Sequence, residues 1–143
     1  MNRNTVFDCK LIELPQNHNT NGKITAINGG YEVPFEIKRV YYLYDIPCGE
    51  DRGGHAHLEL QQLIVAASGS FDLILDDGMN KRVIHMNRPF LGVLMPSGIW
   101  RELTNFSSGS ICLVMASQYY LEGDYIRDYN DFLDYRKNNG VKF

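Results

Sequence analysis

The chain has 143 residues, 44% of them hydrophobic, with 14 Lys and Arg against 17 Asp and Glu for a formal charge of −3. That length and apolar content suit one folded domain over 1–143 and exclude a disordered chain. The acidic balance argues against a nucleic-acid partner, yet a local arginine cluster in such a chain can still grip a phosphate.

The opening MNRNTVFDCKLIEL is polar and then alternating. It lacks the apolar run of a secretion signal, and no stretch approaches the ~20 apolar residues of a membrane helix. A cytoplasmic protein with no membrane partner is expected. Cys9, Cys48 and Cys112, odd in number and without a CxxC pair, are expected as reduced thiols.

Strand signals run from residue 5 to about 120. VFDCKLIEL (6–14) alternates, KITAIN (23–28) follows a polar turn holding His18, and residues 31–46 are β-branched and aromatic. Residues 60–86 read as three strands joined at Ser68-Gly69-Ser70 and Asp76-Asp77-Gly78, the second a strong hairpin signal. FLGVLMP (90–96), WRELTNF (100–106) and SICLVMASQYY (110–120) add three more. Short strands at this spacing predict an all-β sandwich or barrel. In residues 122–139, Tyr125, Ile126, Tyr129, Phe132 and Leu133 recur at helical intervals, with Asp124 as the expected cap and Gly140 beyond the end.

The segment GEDRGGHAHLELQQLIVAASG (49–69) carries the chemistry. His55 and His57 are two apart, so a strand turns both to one face. The segment resembles the first motif of the cupin superfamily, Gly-x5-His-x-His-x(3,4)-Glu-x6-Gly, with Gln62 where the glutamate stands. PSGIWRELTN (96–105) resembles the second motif, Pro-x-Gly-x2-His-x3-Asn, with Arg101 in place of the histidine and Phe90 where the motif opens on glycine. The fold implied is a cupin-type double-stranded β-helix, a jelly-roll barrel, with a short C-terminal α-helix.

The two replacements argue against a metal. A guanidinium has no lone pair to give, and a neutral amide is a weak ligand. Like charges about 4 Å apart repel by about 4 kcal/mol at an effective dielectric of about 20. No metal and no cofactor are expected. His18 and His85, in a polar turn and an edge-like strand, are read as surface residues.

FEIKRVYYLYDIPCGEDRGGHAH (35–57), SGSFDLILDDG (68–78) and ASQYYLEGDYIRDYNDFLDY (116–135) together resemble the nucleotide-sugar 3,4-ketoisomerases, over nearly the whole chain. The resemblance implies movement of the keto group of a dTDP-linked 4-keto-6-deoxyhexose from C4 to C3 through an enediolate. His55 and His57 are the implied acid and base, and Tyr41 the relaying hydroxyl. Histidine suits both transfers, with an unperturbed pKa near ~6.5. Arg101 is a candidate for the oxyanion or the diphosphate, and Arg52 and Arg39 for the diphosphate. Gln62 is expected to orient a histidine or a sugar hydroxyl, and Trp100, Tyr119 and Tyr120 to fill the core in preference to stacking on thymine. Gly54, where the family carries a bulkier residue, is expected to widen the mouth.

A 3-keto product would feed an aminotransferase making 3-amino-3,6-dideoxy sugars for a surface polysaccharide or glycoprotein. A homodimer with exchanged N-terminal strands is also implied. The rival readings are a 3,5-epimerase, which leans on a histidine–aspartate pair not evident in this sequence, a non-catalytic sugar-binding cupin, and a metal-dependent oxygenase.

Overall fold

The computed structural model describes residues 3–47 and 49–138, so Cys48 and Gly140 lie outside the described residues. In chain order the strands are β1 Lys10–Glu13, β2 Asn17–Asn19, β3 Gly22–Ile24, β4 Arg39–Leu43, β5 Arg52–His57, β6 Gln62–Ser68, β7 Phe71–Asp76, β8 Lys81–Met86, β9 Leu91–Met95, β10 Trp100–Thr104, β11 Ile111–Ala116 and β12 Tyr125–Ile126. The helix α1, Tyr129–Asn138, follows. One antiparallel sheet has the order β1-β9-β6-β11-β4 and a second β12-β5-β10-β7-β8, with β2 and β3 as a separate hairpin. This is the expected all-β jelly roll with its terminal helix.

The two sheets face each other because their apolar residues alternate. Ile64 and Ala66 of β6 meet Leu73 and Leu75 of β7, Val93 of β9, Leu103 of β10 and Val114 of β11 in the shared core. The intervening Leu63 and Val65 pack outward under Leu14, Val33 and Phe35. Strand β6 is thus buried on both faces, which is why its sequence is a continuous apolar run. Each such side chain contributes about 1.5–3 kcal/mol on burial.

Two turns between strands have specific backbone requirements. Gly69 ends β6 at φ +65°, and a Cβ there would lie 2.5 Å from Ser107 Oγ and 2.9 Å from Ser110 Cα. Only glycine fits that turn. At the β7–β8 hairpin, Asp77 Oδ1 accepts from the N–H groups of Met79 and Asn80, and Oδ2 from Val6 N–H at 2.9 Å, fastening the N-terminal segment.

Several boundaries differ from expectation. Val6–Asp8 form a 3-10 turn with a reciprocal Thr5–Asp8 capping box, so only Lys10–Glu13 of that segment pair with β9. Residues 25–38 cover a sheet as loop apart from one bridge, and His18 lies on the short β2. The helix starts at Tyr129, not near residue 125. Asp128 supplies its cap, accepting Asp131 N–H on its side chain and Phe132 N–H on its backbone. Tyr125 and Ile126 instead pair with His57 and Ala56 as β12.

The helix buries Phe132 against Ala56 and Trp100, on the outer face of β5 and β10. Trp100 is core, as expected. Tyr119 and Tyr120 are not: they are 71% and 57% exposed. Arg136 is buried under the helix, with Nη1 donating to Gly98 O at 3.0 Å and Nη2 to Asn4 O at 2.5 Å. Gly98 N–H in turn donates to the carbonyl of His57 at 2.7 Å.

Candidate active site

One cavity of about 430 Å³ opens between the inner faces of β4, β5, β6 and β10. Alternation along β4 turns Arg39, Tyr41 and Leu43 into it, whereas Val40, at its margin, and Tyr42 are largely exposed. The same rule on β5 brings His55 to the wall, and the β5–β10 register sets Arg101 directly across from it. Gln62 enters from the start of β6. Arg39, Tyr41, Arg52, His55, Gln62 and Arg101 therefore line one space although they span sixty-odd positions of the chain.

His57 sits behind this wall. It is fully buried, with Nε2 3.1 Å from His55 Nε2 and Nδ1 3.2 Å from Asp124 Oδ2. The two imidazoles meet edge-on at 86°, and the Tyr125 ring packs against both, with centroids 5.0 and 4.4 Å away. The sequence gives no hint of a histidine–aspartate pair, and the expectation that none exists is overturned. Asp124 is not a helix cap because both its oxygens are in use. Oδ1 accepts Glu59 N–H at 2.9 Å, and Oδ2 accepts Leu60 N–H at 3.2 Å beside His57.

Arg101 is 2% exposed. Its Nη1 donates to Gln62 Oε1, and its Nε and Nη2 are buried without a partner. Gln62 Nε2 donates to the Tyr41 hydroxyl at 3.1 Å. Gln62 thus orients Arg101 and Tyr41, not a histidine as expected. A buried guanidinium with two unused donor sites costs free energy unless an oxygen arrives to accept from them. Arg101 is also one of the residues that line the cavity.

Four guanidiniums, of Arg39, Arg52, Arg101 and Arg127, line the cavity, and no carboxylate does. Arg39 Nη2 donates to the Tyr125 hydroxyl at 3.3 Å, and its guanidinium lies over the rings of Tyr41 and Tyr120 at 4.8 and 5.5 Å. Arg127 is held by a two-pronged pair with Glu122, at 2.7 and 2.9 Å, and covers Tyr125 at 4.1 Å. Sequence reasoning passed over Arg127 and Tyr125 because their spacing reads as helix.

This environment sets the protonation states. Burial, then the charge of Arg101, pushes His55 down to about 3 and His57 further below its ordinary value. Both rings are neutral at pH 7, as a base must be before it acts. Burial raises the Tyr41 hydroxyl above its usual pKa, which keeps it protonated at pH 7.

Gly54 does not line the cavity. A side chain there would lie against Trp100 Cζ2 at 3.7 Å, so it does not widen the mouth; its neighbour Gly53, at φ +76°, is the wall residue. His85 is a surface residue of β8, as expected, paired with Asp72 at 2.6 Å. Among the described residues no group of three or more His, Cys, Asp or Glu side chains is arranged to hold a metal ion.

Comparison with known proteins places this geometry. The family model described as "FdtA: WxcM-like, C-terminal" matches residues 7–137. A TDP-4-oxo-6-deoxy-alpha-D-glucose-3,4-oxoisomerase from Aneurinibacillus thermoaerophilus is 40% identical over 126 residues, 88% of this chain and 91% of that protein. The crystal structure of a 3,4-ketoisomerase from Helicobacter canadensis is 42% identical with a TM-score of 0.89, covering 91% of this chain and 98% of that one. A histidine-to-asparagine mutant of the 3,4-ketoisomerase QdtA from Thermoanaerobacterium thermosaccharolyticum, in complex with TDP-4-keto-6-deoxyglucose, is 33% identical with a TM-score of 0.93, covering 96% of this chain and all of that one.

Proposed function

The chain belongs to the FdtA, WxcM-like family and is a TDP-sugar 3,4-ketoisomerase, and we propose that it carries the carbonyl of TDP-4-keto-6-deoxyglucose from C4 to C3 with protein side chains alone. The observation that carries the residue assignment is the single cavity in which His55, Tyr41, Gln62 and Arg101 converge under a cationic rim.

In this reading His55 takes the C3 proton, and the electron pair of the C3–H bond moves toward C4 and its oxygen. Arg101 Nε and Nη2 stabilise the enediolate oxygen, a task for donors fixed in place before charge develops. The Tyr41 hydroxyl moves a proton between the two sugar oxygens, and C4 is then reprotonated, which leaves the ketone at C3. Carbon 3 is oxidised and carbon 4 reduced, so no outside oxidant is required. Arg39, Arg52 and Arg127 hold the diphosphate. The donor set supports metal-free chemistry, because Arg101 and Gln62 bond each other where two ligands would stand. The product, a 3-keto sugar, suits an aminotransferase that makes 3-amino-3,6-dideoxy sugars.

The epimerase reading gains one observation, the buried His57–Asp124 pair. Turnover in D2O followed by proton NMR separates the two. A ketoisomerase gives a 3-keto product with deuterium entering at C4, whereas an epimerase exchanges C3 and C5 and leaves the carbonyl at C4. Binding without either change would identify a non-catalytic cupin.

The working unit in this proposal is a cytoplasmic homodimer. Cys9 and Cys112 are buried free thiols, and no helix among the described residues is long and apolar enough to cross a membrane. The outer side of the edge strand β4 presents Val40 and Tyr42, with Tyr44 just beyond, 56–60% exposed, an apolar edge that a second copy would cover. Exchange of the N-terminal strand would keep the β1–β9 register and move it between copies. Light scattering should return twice the chain mass at micromolar concentration; a single-chain mass at every concentration overturns the dimer.

A further inference from the structure

We propose that Asp124 is a positioning residue of the reaction: it fixes the tautomer of His57 so that this buried ring receives the proton that His55 takes from the sugar. The inference rests on the ketoisomerase reading of the cavity and adds to it a group that touches no substrate.

The geometry leaves one consistent set of hydrogens. Burial raises the Asp124 carboxyl above its ordinary value, but two backbone N–H groups, of Glu59 and Leu60, donate to it, oppose that shift and favour an ionised, acceptor-only carboxylate. The third group facing it, His57 Nδ1, must then donate. A neutral ring protonated at Nδ1 has its lone pair at Nε2, and that atom faces His55 Nε2 at 3.1 Å. His55 must therefore donate from Nε2, which leaves its Nδ1 lone pair as the base.

The relay balances in protons and charge. When the C3–H bond breaks, its proton goes to His55 Nδ1. The proton on His55 Nε2 passes to His57 Nε2, and His57 becomes an imidazolium paired with Asp124. The positive charge is thereby passed transiently to a ring behind the wall, in contact with the buried carboxylate. Reversal of the same steps delivers a proton to C4. Without Asp124, the charge would remain on His55, across the strand pair from Arg101.

The arrangement spans three elements. His55 and His57 share β5, and the 3-10 turn Glu122–Asp124 brings the carboxylate from 67 residues away. The Asp124 carbonyl also accepts Leu58 N–H at 2.9 Å, and Tyr125 pairs with His57 in register. The carboxylate is thus anchored by backbone at the end of the strand it serves.

The test has two readouts. Long-range 15N–1H spectra of the wild-type protein should show His57 protonated at Nδ1; protonation at Nε2 alone would overturn the assignment whatever the activity of any variant. In Asp124→Asn, kcat should fall by about 100-fold or more, while KM and the affinity for TDP stay within about threefold. A kcat within about threefold of wild type also overturns it, as does an equal loss of TDP affinity, which marks a merely structural role. If Asp124→Asn does not fold, the wild-type spectrum decides alone. Absence of turnover in the wild type would count against the ketoisomerase reading, and the tautomer would still judge Asp124.

Discussion

His55→Asn is expected to lower kcat by roughly 10²–10⁴-fold, toward the upper end of what general acid–base catalysis supplies, while the protein stays folded and binds TDP. His55 is the one imidazole on the cavity wall among the described residues, and His57 behind it has no surface open to a ligand. Asparagine keeps the polarity and most of the volume but cannot accept and return a proton near neutral pH. The wild-type pH profile carries a second expectation. Because burial and Arg101 hold His55 at about 3, the neutral base persists as pH falls from 7 to 5. Protonation of this group should therefore not reduce kcat/KM appreciably in that range. Steady-state kinetics on both proteins check this, and an acid limb centred near the ordinary histidine pKa would contradict the assigned environment.

Arg101→Met should separate activity from stability. Loss of the donors aimed at the developing enediolate is expected to cost about 10²–10³ in kcat/KM, the range seen for a single oxyanion-stabilising donor. The Tm should not fall, because the substitution removes a buried charge with two unbonded donor sites and loses one bond to Gln62. A decrease of more than about 5 °C would mean that the guanidinium holds the barrel together, a shift of roughly 1–2 kcal/mol in a chain this size. The same substitution should raise the pKa of His55, since the Arg101 charge is one of the forces that lowers it. Thermal denaturation, kinetics and an NMR titration of the ring read the three outcomes independently.

The contrast between what was legible in the sequence and what was not follows the range of the interactions. Strands β6 to β11 show themselves by local alternation and by Gly69 and Asp77-Gly78 turns, and each is found within a few residues of its expected place. The two-residue period also turns His55 inward, and the altered positions Gln62 and Arg101 correctly point to a pocket built around an amide and a guanidinium. Expectation fails where tertiary contact overrides local pattern. Tyr125 and Ile126 fit a helical stripe with Phe132, but β5 has a free edge that captures them as β12. Asp124 has the composition of a helix cap, and its partners at Glu59 and Leu60 cannot be seen from its neighbours. From the sequence, Gln62 is expected to orient a histidine or a sugar hydroxyl. With Arg101 opposite, its carbonyl oxygen has a stronger donor to serve.

The buried guanidinium of Arg136 joins the carbonyls of Asn4 and Gly98, and Gly98 in turn holds the backbone of His57. Arg136 follows every barrel strand in the chain. The helix therefore ties the N-terminal segment to the strand that bears the imidazoles, from behind that strand. A chain shortened before Arg136 would lose this brace on the backbone of His57.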